Sequence, residues 1–332
     1  MTDVAVLGAG SWGTVLANLL ANKGLDVRLW AHEPEVAAAI TDRHENPLFL
    51  PGVKLAPALR ASHDAAAVAR GAPVICLVVP SHVCRSVLTT IAPHVGKDTR
   101  LVCATKGIEA DSLKLMGGVA AEVLPRTAFV ALSGPSFAEE VQAGQPTAVV
   151  AASCDAVAAE AMQRLFSTST FRVYSSDDVT GVTLGGSLKN TIAIAAGILD
   201  GLGLGSNPRA ALLTRGLAEI ARLGEALGAR MTTFAGLAGM GDLILTCTGV
   251  LSRNRQLGVA LAGGTTLAEY QATHRSVIEG VNTSLAASRL AARHGVDMPI
   301  TRQVAAVLFE GASPRESIQT LMERTLKSER WG

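Results

Sequence analysis

The chain has 332 residues, of which 48% are hydrophobic and only 4% aromatic, and its formal net charge is +1. A chain of this length buries a large core and is expected to form two domains. The near-zero charge gives no indication of a nucleic-acid or membrane partner, so any attraction for an anion must be local.

The first predicted element is a short buried strand that leads into Gly8-Ala9-Gly10-Ser11-Trp12-Gly13 and then a helix. In such a G-x-G-x-x-G turn, Gly8 permits the tight turn and Gly10 lets the backbone approach a pyrophosphate. Gly13 lets the helix pack closely on the strand. The pyrophosphate then meets N–H groups at the positive end of the helix dipole. We interpret the motif as a dinucleotide site in preference to an ordinary strand-to-helix turn.

The second predicted strand, 27–30, bears on which dinucleotide is bound. An NAD site usually has an acidic residue at the tip of this strand to bind the ribose 2′-OH. Here the tip contains His32, and Glu33 comes slightly late. His32 and Arg28 are basic groups that could meet a 2′-phosphate, although Arg28 is expected to point away within the strand. The alternative is that Arg28, His32 and Glu33 are all solvated surface residues. The pattern favours NADPH and leaves NADH open.

Further apolar runs predict more strands, and their continuous hydrophobicity is typical of strands covered on both faces. These runs are 74–79, 100–104, 128–132, 147–151 and 171–174. We therefore predict an α/β fold with a doubly wound, mostly parallel sheet of the Rossmann type. Three runs end in loop signals, at Pro80-Ser81, Thr105-Lys106-Gly107 and Ser133-Gly134-Pro135-Ser136. Because ligands bind outside the carboxyl ends of such strands, these loops should line one crevice beside the glycine-rich turn.

The pattern changes near residue 178, beyond which helical periodicity dominates. We predict a dinucleotide-binding Rossmann domain over 1–178 and a helical, substrate-binding and catalytic domain over 179–332. The expected helices are 180–199, 210–227, 252–262, 279–294, 300–310 and 315–325.

One predicted helix carries Gly185 and Gly186 together with Lys189 and Asn190 in an otherwise apolar sequence. Glycines lower helix stability, so their presence suggests that another segment approaches the helix closely. Lys189 is interpreted either as a snorkelling helix residue or as a buried functional amine, with equal weight from this segment alone.

Two later segments add polar candidates. Asp242 follows the glycine-rich run 236–241 and is either a functional carboxylate or the N-cap of a helix. Ser252 is a candidate cap for the next helix, and Arg253 beside it would make a phosphate site with the helix N–H groups. The alternative for this segment is a solvated basic turn.

Taken together, these motifs resemble the bacterial NAD(P)-dependent glycerol-3-phosphate dehydrogenases over essentially the whole chain. The resemblance rests on the following segments in order: 8–14, 49–51, 79–82, 104–107, 133–138, 189–190, 239–243, 252–254 and 277–280.

The resemblance implies a role for each matching residue. Lys189 corresponds to the family's catalytic acid and base. The implied substrate-binding residues are Lys106, Gly134, Ser136, Asn190, Asp242, Ser252, Arg253 and Asn254. The implied cofactor-binding residues are Gly8, Gly10, Ser11, Trp12, Gly13, His32, Lys106, Ala138, Arg253, Val277 and Glu279, with Trp12 expected only to pack near the cofactor.

The implied reaction is hydride transfer from NADPH, or NADH, to dihydroxyacetone phosphate, with Lys189 supplying the proton. Burial and neighbouring positive charge should lower the pKa of Lys189, and Asp242 should oppose that change. We therefore expect alcohol oxidation to be favoured at alkaline pH. The alternatives are a dehydrogenase of the same layout that acts on another hydroxy acid, and a non-catalytic NAD(P)H-sensing module.

The remaining expectations concern the state of the protein in the cell. No signal peptide is apparent, so we expect a cytoplasmic protein with small-molecule ligands and no membrane or nucleic-acid partner. The five cysteines have no paired spacing and are interpreted as reduced, buried thiols, and no metal site is expected. The helical half, rich in alanine and glycine, is consistent with a homodimer, and the resemblance suggests a role in phospholipid precursor synthesis.

Overall fold

The computed structural model describes residues 3–274, 276–326 and 328–329, and these form two compact units. One unit comprises the chain up to Lys106 together with Lys114–Val179. The other comprises Gly107–Leu113 and the chain from Thr180 onward. The predicted boundary after residue 178 remains a prediction.

The N-terminal unit is built on an eight-stranded sheet with the strand order β3-β2-β1-β4-β5-β6-β7-β8. Neighbouring strands are parallel except β6 and β7, which are antiparallel. The strands are β1 (Val4–Leu7), β2 (Val27–Trp30), β3 (Arg60–Ser62), β4 (Val74–Leu77), β5 (Arg100–Cys103), β6 (Ala128–Ser133), β7 (Thr147–Ala152) and β8 (Phe171–Ser176).

Helices cover both faces of this sheet, as the continuous apolar strands require. Along β1, Val4 and Val6 belong to one hydrophobic cluster, and Ala5 and Leu7 belong to a second cluster on the opposite face. The helices are α1 (Ser11–Asn22), α2 (Pro34–Ala38), α3 (Ala65–Ala69), α4 (Cys84–Ile91), α5 (Met116–Val123), α6 (Ala138–Gln142) and α7 (Ala156–Phe166).

The second unit is helical, and none of its described residues lies in a strand. Its helices are α8 (Val179–Gly201), α9 (Ser206–Ala226), α10 (Met231–Phe234), α11 (Asp242–Thr248), α12 (Arg253–Ala262), α13 (Leu267–Thr273), α14 (Glu279–Arg293), α15 (Pro299–Phe309) and α16 (Pro314–Met322). The predicted fold class, a doubly wound, mostly parallel sheet followed by a helical domain, is confirmed.

Helix α8 is the central element of the helical unit. Among the described residues it is the one helix long and apolar enough to cross a membrane, but 94% of its apolar window is buried inside the fold. Its surroundings are helices: a Cβ at Gly197 would collide with the backbone of Arg255 in α12. These contacts assign α8 to the protein core.

A buried carboxylate joins two further helices of this unit. Glu219 of α9 is 1% exposed and accepts hydrogen bonds from the backbone N–H groups of Ile300 and Thr301, at 2.7 and 3.1 Å. The Thr301 hydroxyl donates a third bond at 3.1 Å. Burial raises the pKa of Glu219 to about 7, and the hydrogen bonds partly oppose the increase.

The cysteines are free thiols, but one detail differs from expectation. Four are buried, whereas Cys154 is exposed, because it lies in the loop between β7 and α7.

Candidate active site

The glycine-rich turn between β1 and α1 has the geometry that its sequence predicts. Gly8 has φ +116°, a conformation that disfavours any side chain, and a Cβ there would lie 2.5 Å from the Val78 carbonyl oxygen. A Cβ at Gly13 would collide with the carbonyl oxygen of Gly8. At Gly10, by contrast, a Cβ would meet no described atom within 4 Å. The turn is closed toward the sheet and open at Gly10.

The N-terminus of α1 fits a dinucleotide pyrophosphate. Gly10 is the N-cap, and no described side chain caps the first turn. The Ser11 hydroxyl donates to the Phe49 carbonyl at 2.5 Å instead. The amides of the first turn have no partner within an α-helix, so they are oriented to receive an anion. Trp12 packs against Phe171, with ring centroids 6.2 Å apart.

The end of β2 bears on recognition of a 2′-phosphate. The guanidinium of Arg28 donates to the carbonyl of Ala67 at 2.9 Å and to that of Arg70 at 3.1 Å, so it is engaged at the end of α3. His32 is exposed, 6.1 Å from the Trp30 ring. Of these two basic residues, Arg28 is thus engaged within the unit, whereas His32 is exposed at the strand tip.

The loops after β5 and β6 meet at the carboxyl edge of the sheet. The Nζ of Lys106 donates to the Gly134 carbonyl at 3.3 Å, and the Ser136 hydroxyl donates to the same oxygen at 3.0 Å. The Thr105 hydroxyl donates to the Val79 carbonyl at 2.8 Å, which links the loop after β4. The three loops lie side by side, as the sequence predicts.

In the helical unit, Lys189 is a buried, paired amine rather than a snorkelling surface residue. It lies in the middle of α8 and is 7% exposed. Its Nζ forms an ion pair with the fully buried carboxylate of Asp242 and donates to the Thr246 hydroxyl at 2.8 Å. A buried charge requires this kind of compensation, because desolvation would otherwise make it costly.

Glycine at position 185 makes this pairing sterically feasible. A Cβ at Gly185 would lie 2.5 Å from the Ala238 carbonyl oxygen, so the backbone of the next segment packs directly on α8. That segment, Leu237–Gly241, is a π-helical turn that runs into α11. Asp242 is the first residue of α11 and not its N-cap, and Gly241 at the cap position has no side chain to contribute. The capping alternative is therefore wrong.

Thr246 is a functional candidate that the sequence analysis missed. It lies on α11 four residues after Asp242, and its hydroxyl donates to the Asp242 carbonyl at 2.6 Å. Residues four apart share a helix face, so the spacing from Asp242 was the available signal.

The Cys247 thiol beside this group is held in its protonated form by burial. Cys247 follows Thr246, and burial raises its pKa to about 12, although the positive charge of Lys189 acts in the opposite direction. A thiol of that pKa is protonated at neutral pH and is a poor nucleophile. The described residues also contain no cluster of His, Cys, Asp or Glu that could hold a metal ion.

A pair of amides lies next to Lys189. The backbone N–H of Gly280 donates to the Asn254 Oδ1 at 3.0 Å, and the Asn254 Nδ2 donates to the Asn190 Oδ1 at 2.9 Å. Because a backbone N–H only donates, both amide orientations are fixed. Asn190 therefore directs its Nδ2 group, a donor, away from Asn254.

The N-terminus of α12 has the predicted cap. Ser252 is buried, and its hydroxyl accepts from the Arg255 backbone N–H at 3.3 Å. Arg253 is the first residue of α12 and is exposed, so a guanidinium and a helix N-terminus are adjacent. This combination suits a phosphate group.

The predicted site residues fall into two groups, each within one unit. The N-terminal unit holds Gly8, Gly10, Ser11, Trp12, Gly13, His32, Lys106, Gly134, Ser136 and Ala138, the last being the first residue of α6. The helical unit holds Lys189, Asn190, Asp242, Ser252, Arg253, Asn254, Val277 and Glu279, the last being the first residue of α14. The contacts above join Lys106 with Gly134 and Ser136, Lys189 with Asp242, and Asn190 with Asn254.

Comparisons with known proteins match both halves of the chain to the same family. Residues 3–159 match the family model described as NAD-dependent glycerol-3-phosphate dehydrogenase N-terminus, and residues 178–319 match the model of its C-terminus. A relative from Geobacter sulfurreducens, named glycerol-3-phosphate dehydrogenase [NAD(P)+], is 56% identical over 331 residues, which cover 99% of each chain.

Solved structures are also similar. The crystal structure of a glycerol-3-phosphate dehydrogenase from Coxiella burnetii superposes with a TM-score of 0.94 at 42% identity, over 97% of this chain and 98% of that one. A D-mandelate dehydrogenase in complex with NADH and anilino(oxo)acetate has a TM-score of 0.61 at 17% identity, over 96% of this chain and 99% of that one. The second likeness concerns the fold alone.

Proposed function

Because the chain belongs to the family of NAD-dependent glycerol-3-phosphate dehydrogenases, we propose that it reversibly reduces dihydroxyacetone phosphate to sn-glycerol 3-phosphate. It is an oxidoreductase that uses NADPH or NADH. The observation that supports an acid–base role is the buried ion pair of Lys189 and Asp242 in the helical unit. Such a pair supplies a proton donor with a fixed direction.

In the proposed mechanism, Lys189 is the proton-transfer group. The nicotinamide, when bound, supplies or accepts the hydride at the carbon of the substrate. Lys189 as an ammonium donates a proton to the oxygen that becomes the alcohol, and as a neutral amine it takes that proton back in the oxidation direction. Asp242 and Thr246 each accept an N–H of the amine, and these contacts fix the position from which Nζ would meet the substrate oxygen.

The substrate phosphate is assigned to the N-terminus of α12. We assign Arg253 and the N–H groups beside Asn254 to the phosphate, with Ser252 holding the turn. Asn190 directs an N–H donor and is assigned to a substrate oxygen. Holding the phosphate and the carbonyl oxygen together orients the reacting carbon, which lowers the entropic part of the barrier. Lys106, Gly134, Ser136 and Asp242 are the other proposed substrate-binding residues.

We assign the dinucleotide to the glycine-rich turn of the N-terminal unit. Gly8, Gly10 and Gly13 shape the turn, and the first amides of α1, from Ser11 onward, receive the pyrophosphate. Arg253, Val277 and Glu279 of the helical unit and Trp12, His32, Lys106 and Ala138 of the N-terminal unit are further proposed cofactor contacts. Because no acidic residue lies directly at the strand tip and His32 is exposed there, we propose a preference for NADPH.

Two broader proposals complete the assignment. First, residues 1–178 form the dinucleotide-binding domain and supply most of the proposed cofactor contacts, and residues 179–332 form the substrate-binding and catalytic domain and supply most of the proposed substrate contacts. Second, the enzyme acts as a cytoplasmic homodimer without membrane or nucleic-acid partners, which the near-zero net charge and the buried position of α8 support. Sedimentation velocity of the purified protein tests the second proposal, and a monomer at micromolar concentration would contradict it.

The test of the proposed function is a paired kinetic assay of the purified enzyme with dihydroxyacetone phosphate and either NADPH or NADH. Loss of the reduced-nicotinamide absorbance with substrate is expected, with the higher kcat/KM for NADPH. Binding of either cofactor without turnover would support a sensing module instead. Turnover with a 2-hydroxy or 3-hydroxy acid but not with the phosphate substrate would support a different dehydrogenase.

A further inference from the structure

Asn46 is a buried polar residue that the assigned site does not include. It follows the π-helical turn Ala39–Arg43 and is 0% exposed. Its side chain makes three hydrogen bonds, all within the N-terminal unit. One of them reaches Ala9 in the glycine-rich turn, and another reaches Thr14, the residue that follows Gly13.

The hydrogen-bond directions around Asn46 are fully determined. Its Nδ2 donates to the Ala9 carbonyl at 2.8 Å and to the Thr14 hydroxyl at 2.9 Å, which uses both of its N–H bonds. The Thr14 hydroxyl donates its own proton to the Ala9 carbonyl at 3.1 Å. The Asn46 Oδ1 accepts from the Phe49 backbone N–H at 3.0 Å. The amide therefore has a single orientation, and Ala9 receives two donors.

Holding the Ala9 carbonyl fixes the direction of an amide that faces the ligand. The peptide unit is planar and trans, so the Ala9 C=O and the Gly10 N–H point in opposite directions. Because Asn46 and Thr14 hold the carbonyl toward the protein interior, the Gly10 N–H points outward. At Gly10 the backbone is open, since a Cβ there would meet no described atom within 4 Å.

A second contact joins the same two segments. The Ser11 hydroxyl donates to the Phe49 carbonyl at 2.5 Å, while the Phe49 N–H is bonded to Asn46. The segment 46–49 is thus attached to the glycine-rich turn at two points, Ala9 and Ser11.

We propose that Asn46 is a positioning residue for the cofactor: it orients the Ala9–Gly10 peptide and thereby sets the affinity of the turn for the pyrophosphate. The proposal rests on the dinucleotide binding described under the proposed function. The pyrophosphate is common to both cofactors, so loss of Asn46 should lower the affinity for NADPH and for NADH by the same factor. Loss of a residue that contacts the 2′-phosphate would lower the affinity for NADPH alone.

The test compares Asn46→Ala with a matched control, Asn18→Ala. Asn18 lies on α1 and is 3% exposed. Its side chain donates to the Gln142 Oε1 at 3.1 Å and accepts from the Ala56 N–H at 2.7 Å. Among the described contacts, neither hydrogen bond of the Asn18 side chain reaches the glycine-rich turn. The two substitutions remove similar buried amides, so both lower the melting temperature, but only one alters the turn.

For Asn46→Ala we expect the Kd and KM of both cofactors to rise by roughly tenfold, the effect of one well-oriented hydrogen bond to a charged group. The KM for dihydroxyacetone phosphate and kcat at saturating cofactor should stay close to wild type. A partly unfolded enzyme would instead lose kcat without a change in KM. Thr14→Val should act in the same direction, and Thr14→Ser, which keeps the hydroxyl, should restore the affinity.

Three results would overturn the proposal: unchanged cofactor affinity in Asn46→Ala, an equal loss of affinity in Asn18→Ala, or a loss confined to NADPH. If Asn46→Ala does not fold, the cofactor Kd and KM of Thr14→Val and Thr14→Ser test the proposal by themselves. Failure of the proposed function is distinguished separately, because the wild-type enzyme would then bind neither cofactor or would not consume it with substrate.

Discussion

The Nζ of Lys189 lies 2.8 Å from the hydroxyl oxygen of Thr246, and in this contact the hydroxyl acts only as an acceptor. Its single proton is already donated to the Asp242 carbonyl at 2.6 Å. The hydroxyl oxygen therefore accepts a hydrogen bond from Lys189 whether the amine is charged or neutral. Asp242 accepts another N–H, so two residues of α11 orient the Lys189 amine.

Thr246→Val should lower kcat by about tenfold while the KM for dihydroxyacetone phosphate changes little, because the amine loses one of its two orienting acceptors. Thr246→Ser, which keeps the hydroxyl, should stay near wild type. The matched control is Thr248→Val on the same helix, whose hydroxyl donates to the Ile244 carbonyl at 2.8 Å and is exposed. Steady-state kinetics of the three variants provides the measurement. Equal kcat values in Thr246→Val and Thr248→Val would contradict the orienting role.

Lys189→Ala should lower kcat by roughly 10²- to 10⁴-fold, the usual contribution of a general acid or base. NADPH binding, measured by nicotinamide fluorescence, should be largely retained. In the wild type, oxidation of glycerol 3-phosphate should accelerate with rising pH, since the neutral amine is the base. Loss of cofactor binding in the variant would indicate a structural role for Lys189, and a flat pH profile with rate-limiting chemistry would argue against it as the base.

Arg253→Ala should raise the KM for dihydroxyacetone phosphate by roughly tenfold to a hundredfold, as expected when a charged hydrogen bond to a phosphate is removed. Thermal stability should be nearly unchanged, because Arg253 is exposed. Arg302→Ala on α15 is the control, since Arg302 is also exposed and pairs only loosely with Asp297, at 3.7 Å. If both variants had the wild-type KM, the phosphate would have to bind elsewhere.

Gly280→Ala should disturb the amide pair beside Lys189. A Cβ at this position would lie 2.5 Å from the Asn254 Oδ1 and 2.8 Å from the Asn190 carbonyl oxygen. We expect a lower melting temperature and a KM for dihydroxyacetone phosphate raised by about tenfold, because Asn190 loses its fixed orientation. Gly205→Ala is the control, as a Cβ there meets no described atom within 4 Å. A KM equal to that of the control would show that the amide pair is not part of substrate binding.

Glu219 predicts a pH dependence of stability. Burial raises its pKa from 4.5 to about 7, so the folded state binds a proton more tightly than the unfolded chain does. The resulting stabilisation is complete below about pH 4.5 and is lost as the pH rises toward 7. Over that window the free energy of unfolding should fall by roughly 3 kcal/mol more in the wild type than in Glu219→Gln.

Urea denaturation of both proteins across this pH range measures that difference. The variant keeps the size of Glu219 but cannot titrate, so other ionisable groups contribute equally to both curves. The loss of one acceptor lowers its stability by the same amount at every pH and does not change the shape of its curve. Parallel curves would mean that Glu219 stays charged in the folded state throughout the range.

Much of the fold was predictable because its signals are local. The run 74–79 and the glycine-rich turn specify a buried strand and a phosphate-binding helix start from their own residues, and α8 follows from its apolar sequence. By contrast, the three-residue edge strand β3 has no apolar run, and the antiparallel direction of β7 leaves no mark in its own sequence. Pairing partners decide both features.

The candidate site divides in the same manner. Lys189 and Asp242 were identifiable as unusual residues, but the choice between a surface lysine and a buried amine depended on a contact across 53 positions. Thr246 and Asn46 have ordinary local sequences and gain significance only from the atoms that they meet. A polar residue that acts through another residue's backbone is therefore the hardest kind to find from sequence.

The close packing at Gly185 also determines when activity is acquired during refolding. Burying either charge of the Lys189–Asp242 pair alone would be unfavourable, so the two must become desolvated together as residues 238–239 dock on α8. The proposed proton transfer therefore requires this docked arrangement, which the formation of α8 alone does not supply. A chain that has emerged from the ribosome only as far as the end of α8 already contains the lysine but lacks the carboxylate that compensates its buried charge.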